Sequence, residues 1–286
     1  MKFGISIPNN QGVESVRELM QIALEAEALG YNSVWVSEHL FHASYVAERL
    51  GNAPYHEALT VLTAVASVTS RVRLGTSVLV LPWHHPARLA KQIATLDALS
   101  QGRVDLGVGV AQVPDEFENL GVAYASRGRV TDEAIDAMRC LWREETPEFA
   151  GEFYRFSSLK FSPKPVQDPV PILIGGNSER ALRRVREKGD GWHAMTRSVH
   201  DVRESIGKAG GKPTSIRQVV SFADSAPDKP LHQRRVMKGT VEELRALVAE
   251  FEALGVDELV IDANNMDIQV TRTCFQRFFE EVASRA

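Results

Sequence analysis

Two side chains able to exchange protons, Glu38 and His39, follow the apolar run Val34-Trp35-Val36 after the single residue Ser37. A carboxylate and an imidazole delivered together at a strand end suit general acid–base work, because imidazole titrates close to neutrality. A plainer role, capping the strand end, suits the same pair. In "LGTSVLVLPWHHP", residues 74–86, only Thr76 and Ser77 interrupt an otherwise apolar strand. That interruption reads either as a bulge satisfied by its own hydroxyls or as one that pushes backbone towards a flat ligand. In "GGNSERALRR", residues 175–184, a strand passes through two glycines into a helix. The glycines allow close backbone approach, Asn177 or Ser178 can cap the helix, and its free N–H groups suit a phosphate. "GVGVA" at 107–111 lacks the full dinucleotide fingerprint.

Competing chemistries find less support. A metal-dependent hydrolase built on a barrel wants His-x-His after the first strand, where Pro8-Asn9-Asn10 stands. His84 and His85 are adjacent and would point apart in extended chain, so they do not chelate one ion easily. No Gly-x-Ser-x-Gly elbow and no cysteine nucleophile lies near these motifs. No metal is expected.

The elements that must position these residues alternate regularly. Strands are predicted at 2–8, 33–37, 71–81, 103–110, 171–175, 191–195, 218–224 and 258–262. Helices between them include 15–29, stopped by Gly30, then 58–69, a helix opening at Pro86, and others near 129–142, 178–188, 199–209, 240–254 and 270–283. Residues 143–170 break the rhythm with a hairpin-like "GEFYRF" and the proline-rich "FSPKPVQDPVP", an insertion rather than a domain boundary. Repeated strand–helix units imply parallel pairing with right-handed crossovers. An open doubly wound sheet also alternates this way, but eight units over 286 residues fit a closed (β/α)8 TIM barrel better, one domain over 1–286. In such a barrel the strand C-termini form the functional face, and the residues arriving there include Asn9, Glu38-His39, Trp83-His84, Gly109 to Gln112, Gly175-Gly176-Asn177, His193 and Asp262.

Composition adds exclusions. The formal net charge of −4 argues against a partner, such as nucleic acid, that needs a broad basic face. With 44% hydrophobic and 24% charged residues the chain can bury a large core. No apolar run is long enough to span a bilayer, and "MKFGISIP" reads at once as a core strand rather than a leader. A cytoplasmic location is expected, with Cys140 and Cys274 as free thiols.

Taken in order, "SVWVSEHL", "RVRLGTSVLVLPWHHPARLAKQIATLDALSQGRVDLGVGV", "EFENLGV", "KPVQDPVPILIGG" and "GDGW" resemble the luciferase-like monooxygenase superfamily, and most closely its branch of deazaflavin-dependent oxidoreductases. The likeness runs from residue 1 to about 195. It implies a barrel with an insertion segment and a flavin-type ring stacked in the barrel mouth. A non-prolyl cis peptide in the third strand, here Ser77–Val78, would press on the ring from behind. The resemblance further gives His39 the role of proton donor or substrate-polarising group, with Glu38 bonding the ring or orienting its neighbour. Gly175, Gly176 and Asn177 would hold the coenzyme phosphate, and Gly109, Ala111 and Gln112 would line the ring. Many relatives carry Gly-Trp where this chain has Ala111-Gln112, a departure that bears on pocket shape. Trp83, His84 and Glu116 fall on the expected substrate side or serve as rim packing.

The resemblance implies coenzyme F420 and hydride transfer to or from a small organic substrate such as a ketone, alcohol or unsaturated ring. The alternative is an FMN-dependent monooxygenase that uses O2 and reduced flavin. A non-catalytic flavin-binding barrel is a third reading, against which His39 stands. A homodimer and a flavin or F420 reductase are the implied partners. Helix 58–69 serves equally as an interface or as core.

Overall fold

A computed structural model of the chain closes the alternating units into a ring of parallel strands. It describes residues 1–43, 45–158, 160–223 and 231–285. The strands are β1 (Lys2–Ser6), β2 (Ser33–Val36), β3 (Arg73–Thr76), β4 (Val104–Gly109), β5 (Ile172–Gly175), β6 (Gly191–Met195), β7 (Thr214–Phe222) and β8 (Glu258–Asp262). They pair in the order β7-β8-β1-β2-β3-β4-β5-β6, and β6 pairs with β7, Ser215 opposite His193, to close the barrel. The helices wrap it by burying one apolar stripe each. In α1 (Val16–Leu29) that stripe is Leu19, Ile22, Ala23 and Ala26, and Gly30 ends the helix at φ 108°. In α4 (Pro86–Ser100) it is Leu89, Ala90, Ile93, Ala94 and Leu96.

The barrel interior is packed rather than hollow. Trp35 of β2 and His193 of β6 are fully buried and stack, with ring centroids 4.6 Å apart and planes 11° from parallel. The indole Nε1 donates to Ser33 Oγ at 2.6 Å, and the Ser33 hydroxyl contacts the Glu258 carboxylate. Gly75 on β3 makes room for the indole, since a Cβ there would lie 2.2 Å from its ring. Gly107 on β4 is equally constrained: its Cβ would fall 1.8 Å from the Thr76 carbonyl oxygen. His193 and Trp35 thus lie inside the barrel, not at the rim where strand position alone puts them.

Other departures from the sequence reading have local causes. The third strand is not continuous. β3 ends at Thr76, the Ser77–Val78 peptide is cis, and Leu79–Val80 resumes pairing against Val108 and Gly109. The hydroxyls of the interruption serve neighbouring strands instead of their own, Thr76 Oγ1 donating to Gly107 O at 2.7 Å. β7 begins at Thr214, four residues before the expected start, because its inward Ser215 and Arg217 hide the alternation that marks a strand. The expected end of that strand, Asp224, lies outside the described residues. Two short helices, α2 (Tyr45–Leu50) and α5 (Pro114–Asn119), occupy loops after β2 and β4 that the sequence reading left unassigned. Met237–Gly239 extends the sheet beside β7.

The insertion at 143–170 contains the hairpin Phe149–Ala150 with Arg155–Phe156. It is tied back by Asp97, a fully buried carboxylate that accepts from Val166 N, Gln167 N and Gln167 Nε2 at 2.8–2.9 Å. Among the described residues no helix is long and apolar enough to cross a membrane, and both cysteines are free thiols.

Gly107→Ala should lower stability by about 2–3 kcal/mol, since the added methyl meets backbone that cannot rotate away. Gly207→Ala, where nothing lies within 4 Å of the added Cβ, should stay within about 0.5 kcal/mol. Urea unfolding midpoints of the two variants check this.

Candidate functional site

A cavity of about 520 Å³ opens over the C-terminal ends of the strands, where barrel sites form. Its floor is the interrupted third strand, with Ser77, Val78 and Val80 on the lining. The Val78 side chain sits in space that glycines leave: a Cβ on Gly109 or Gly175 would come within 2.8 and 2.7 Å of its methyl groups. Ser77 is held on three sides. Its N–H donates to Val36 O at 2.6 Å, its hydroxyl lies 2.7 Å from His193 Nε2, and its carbonyl accepts from Arg217 Nη1 at 3.2 Å. Burial, and then the Arg217 charge, push His193 down to about 3, so this imidazole is neutral and acts as a hydrogen-bonding spacer between Ser77 and Ser215.

Two carboxylate–imidazole pairs stand on one wall. Successive residues at a strand end point apart, so Glu38 and His39 do not pair with each other. Glu38 is buried; its Oε2 accepts from Val80 N at 2.7 Å and its Oε1 lies 2.8 Å from His84 Nε2. Burial opposes charge on His84, but the Glu38 carboxylate outweighs it, and the pKa of His84 is raised. His39 has its Nδ1 2.6 Å from Glu116 Oε2 and its Nε2 2.6 Å from the Tyr45 hydroxyl. Glu116 is fully buried and also accepts from Leu40 N and Phe41 N, so α5 anchors the loop that carries His39. With Nδ1–H given to the carboxylate, Nε2 is the atom placed to accept a hydrogen bond from the tyrosine hydroxyl. Burial, then Glu116, raise the Tyr45 phenol, which keeps it protonated.

The opposite wall holds Arg217 of β7 and Asp262 of β8, paired through Nε at 3.0 Å and Nη2 at 2.7 Å. Three residues lining the cavity adopt left-handed backbone: Ala111 at φ 52°, Thr196 at 42° and Asn264 at 45°. Such non-glycine conformations cost about 1–3 kcal/mol each and persist where the surroundings hold them, as sites do. Here Thr196 N donates to Arg217 O at 2.8 Å, and Asn264 N to Asp262 Oδ1 at 2.8 Å.

The structure thus gathers His39, Glu38, Ser77, Val78, Ala111 and Gln112 on one cavity. Gly109 and Gly175 stand behind Val78 and do not face the cavity. Gly176, at φ 112°, accepts from Trp192 Nε1, and Asn177 braces the end of β6 through Met195 O and N. Glu116 and His84 stand behind His39 and Glu38, and neither lines the cavity. Trp83 tilts against His39 at 6.2 Å and edges onto Phe117, packing the same wall from outside. His85 caps α4 through Nδ1, away from His84. Among the described residues no group of three or more His, Cys, Asp and Glu side chains could hold a metal ion. Sequence reading missed Tyr45, Tyr55, Arg49 and Arg217, all on the cavity. Tyr45 and Arg49 share one face of a six-residue helix too short to show a period, and Arg217 sits inside a strand read as starting after it.

The profile of the luciferase-like monooxygenase family matches residues 1–229. An uncharacterized protein of Mycobacterium tuberculosis is 38% identical over 182 residues, 60% of this chain and 62% of that protein. The chain therefore spans less than two thirds of that relative. An F420-dependent glucose-6-phosphate dehydrogenase of Amycolatopsis mediterranei is 35% identical over 180 residues, 62% of this chain and 52% of the enzyme. An FMNH2-dependent dimethylsulfone monooxygenase of Pseudomonas putida is 28% identical over 275 residues, 91% and 72% of the two chains. Among solved structures, a monooxygenase from Streptomyces bottropensis shares the fold at a TM-score of 0.84 and 24% identity, covering 100% of this chain and 99% of that one.

Glu38→Gln should drop the His84 pKa below its ordinary value, because burial then outweighs the weaker pull of Glu57. The wild-type pair contributes stability below the unfolded histidine value, about 6.5, and loses it as pH rises through the raised folded value. The variant should show the opposite dependence, losing stability as pH falls through the unfolded histidine value. Histidine NMR titration and unfolding midpoints across pH 5–9 read both effects.

Proposed function

The chain belongs to the luciferase-like monooxygenase family, and on that premise we propose that it binds coenzyme F420 in the cavity and exchanges a hydride between the coenzyme and a small organic substrate. The observation that carries this reading is the series Glu116–His39–Tyr45, buried at one end and open to the cavity at the other. Exchange between an alcohol and a carbonyl moves a proton together with each hydride, and this series provides a place for it. Tyr45 meets the substrate oxygen, His39 Nε2 takes or returns the tyrosine proton, and Glu116 stabilises the imidazolium formed in between.

The residues present fit a flat ring. Val78 and Val80 offer an apolar face, while Ser37, Gln112, Thr196 and Arg217 supply polar edges around it. When bound, F420 supplies two-electron hydride chemistry with carbon at the reacting ring position, for which the protein adds orientation and electrostatics. Glu38, held by Val80 N and His84, fixes the edge of the floor. The higher identity to the F420-dependent relative supports this cofactor. The longer match to the FMNH2-dependent relative favours the second reading, a monooxygenase fed with reduced flavin by a reductase.

Titration of the apoprotein with F420 and with FMN distinguishes the two. F420 should saturate at micromolar concentration or tighter, with FMN at least about tenfold weaker, a gap of about 1.4 kcal/mol. The reverse order assigns the FMN reading. His39→Asn should hold F420 affinity within about threefold, well under that gap. The same variant should lower turnover of any substrate the wild type accepts by about 10²–10⁴.

A further inference from the structure

Among the described residues, the ionisable acid and base side chains lining the cavity are matched with one exception. Glu38 meets His84, Asp262 meets Arg217, and His39 meets Glu116. Arg49 has no carboxylate partner among the described residues. Its Nη1 donates to Gln11 Oε1 at 2.6 Å, a neutral acceptor that positions the guanidinium without cancelling its charge. Gln11 is itself buried at 3% exposure, and its Nε2 donates to Asn264 Oδ1 at 3.1 Å, which fixes the amide orientation. Asn264 in turn is pinned to Asp262. This bracing leaves the Nε–Nη2 edge of Arg49 unpartnered among the described residues, and that edge is the planar fork that binds a carboxylate with two hydrogen bonds.

We propose that Arg49 is the anchor for a substrate carboxylate, so that the substrates of this enzyme are short organic acids bearing a carbonyl or hydroxyl group. The inference rests on the hydride-transfer reading for the reaction but not for the binding. Arg49 lies one turn after Tyr45 on α2, so the two side chains share a helix face with Cβ atoms roughly 5–6 Å apart. An acid gripped by Arg49 therefore presents an oxygen to Tyr45 only if that oxygen stands within a few carbons of the carboxylate. In the reducing direction the carbonyl carbon gains a hydride from the reduced coenzyme. The C=O π electrons move to oxygen, which takes a proton from the Tyr45–His39 series, and the product is a hydroxy acid with the coenzyme oxidised. Oxidation is the reverse.

The test uses pyruvate, acetone and inorganic phosphate as probes, titrated calorimetrically into the apoprotein and into the F420-saturated protein. Pyruvate should bind at least about tenfold tighter than acetone, the same carbonyl without the charge, as expected for a charge-assisted pair. Arg49→Gln should erase that preference, Arg49→Lys should keep part of it, and F420 affinity and thermal midpoint should not change in either. Equal binding of pyruvate and acetone, or pyruvate binding untouched by Arg49→Gln, overturns the proposal. A preference for phosphate over pyruvate overturns the carboxylate assignment. Loss of F420 affinity in Arg49→Gln overturns it too, by giving Arg49 to the coenzyme tail. If F420 does not bind the wild type, the proposed function fails while the apoprotein titrations still decide the role of Arg49.

Discussion

The site depends on how Ser77 is held. Its N–H, hydroxyl and carbonyl each have a partner from a different strand: Val36 of β2, His193 of β6 and Arg217 of β7. Those three contacts join the packed interior to the cavity floor. Below, His193 stacks on Trp35, and Gly75 exists to admit the indole. Above, Val78 emerges at a position that Gly109 and Gly175 leave open. A charged imidazole at this junction would be buried beside Arg217, and its displaced pKa of about 3 shows which form the interior selects. The neutral ring can accept at one nitrogen and donate at the other, which is what a spacer between two serine hydroxyls requires.

From that floor the electrostatics divide the cavity into two walls. On one side, Glu38–His84 fixes the backbone at Val80, and Glu116–His39–Tyr45 runs from a buried carboxylate to a hydroxyl on the cavity. On the other, Arg217 and Asp262 satisfy each other within 3.0 Å. Paired charges in an enclosed site hold geometry and add little net potential, since removal of either partner leaves the other uncompensated. The potential that remains comes from Arg49, and the proton capacity comes from Tyr45 and His39. In the proposed reading, chemistry and recognition fall on neighbouring turns of one short helix.

Much of this was legible in the sequence, and the limits have physical causes. The alternation of apolar strands and amphipathic helices gave the barrel, and the barrel aimed Glu38 and His39 at its mouth. Adjacency in sequence misled about partners, because alternate residues diverge at a strand end and each found its mate across the fold, His84 for Glu38 and Glu116 for His39. Glu116 belonged to the right neighbourhood yet sits behind the imidazole, on a helix of six residues with no readable period. Asn177, expected to hold a phosphate, also bonds both the N–H and the carbonyl of Met195 at the end of β6, a contact that no local pattern encodes. Arg217 was hidden by being inward-facing and polar, the reverse of what a strand pattern seeks.

The most direct test is where the ring lies. Crystals of the protein soaked with oxidised F420, and separately with FMN, would be compared with unsoaked crystals by difference density. The account predicts planar density over Val78, bounded by the Tyr45–His39 wall on one side and Arg217 on the other. Ring density in any other cleft, or none over Val78 at saturating coenzyme, would contradict it.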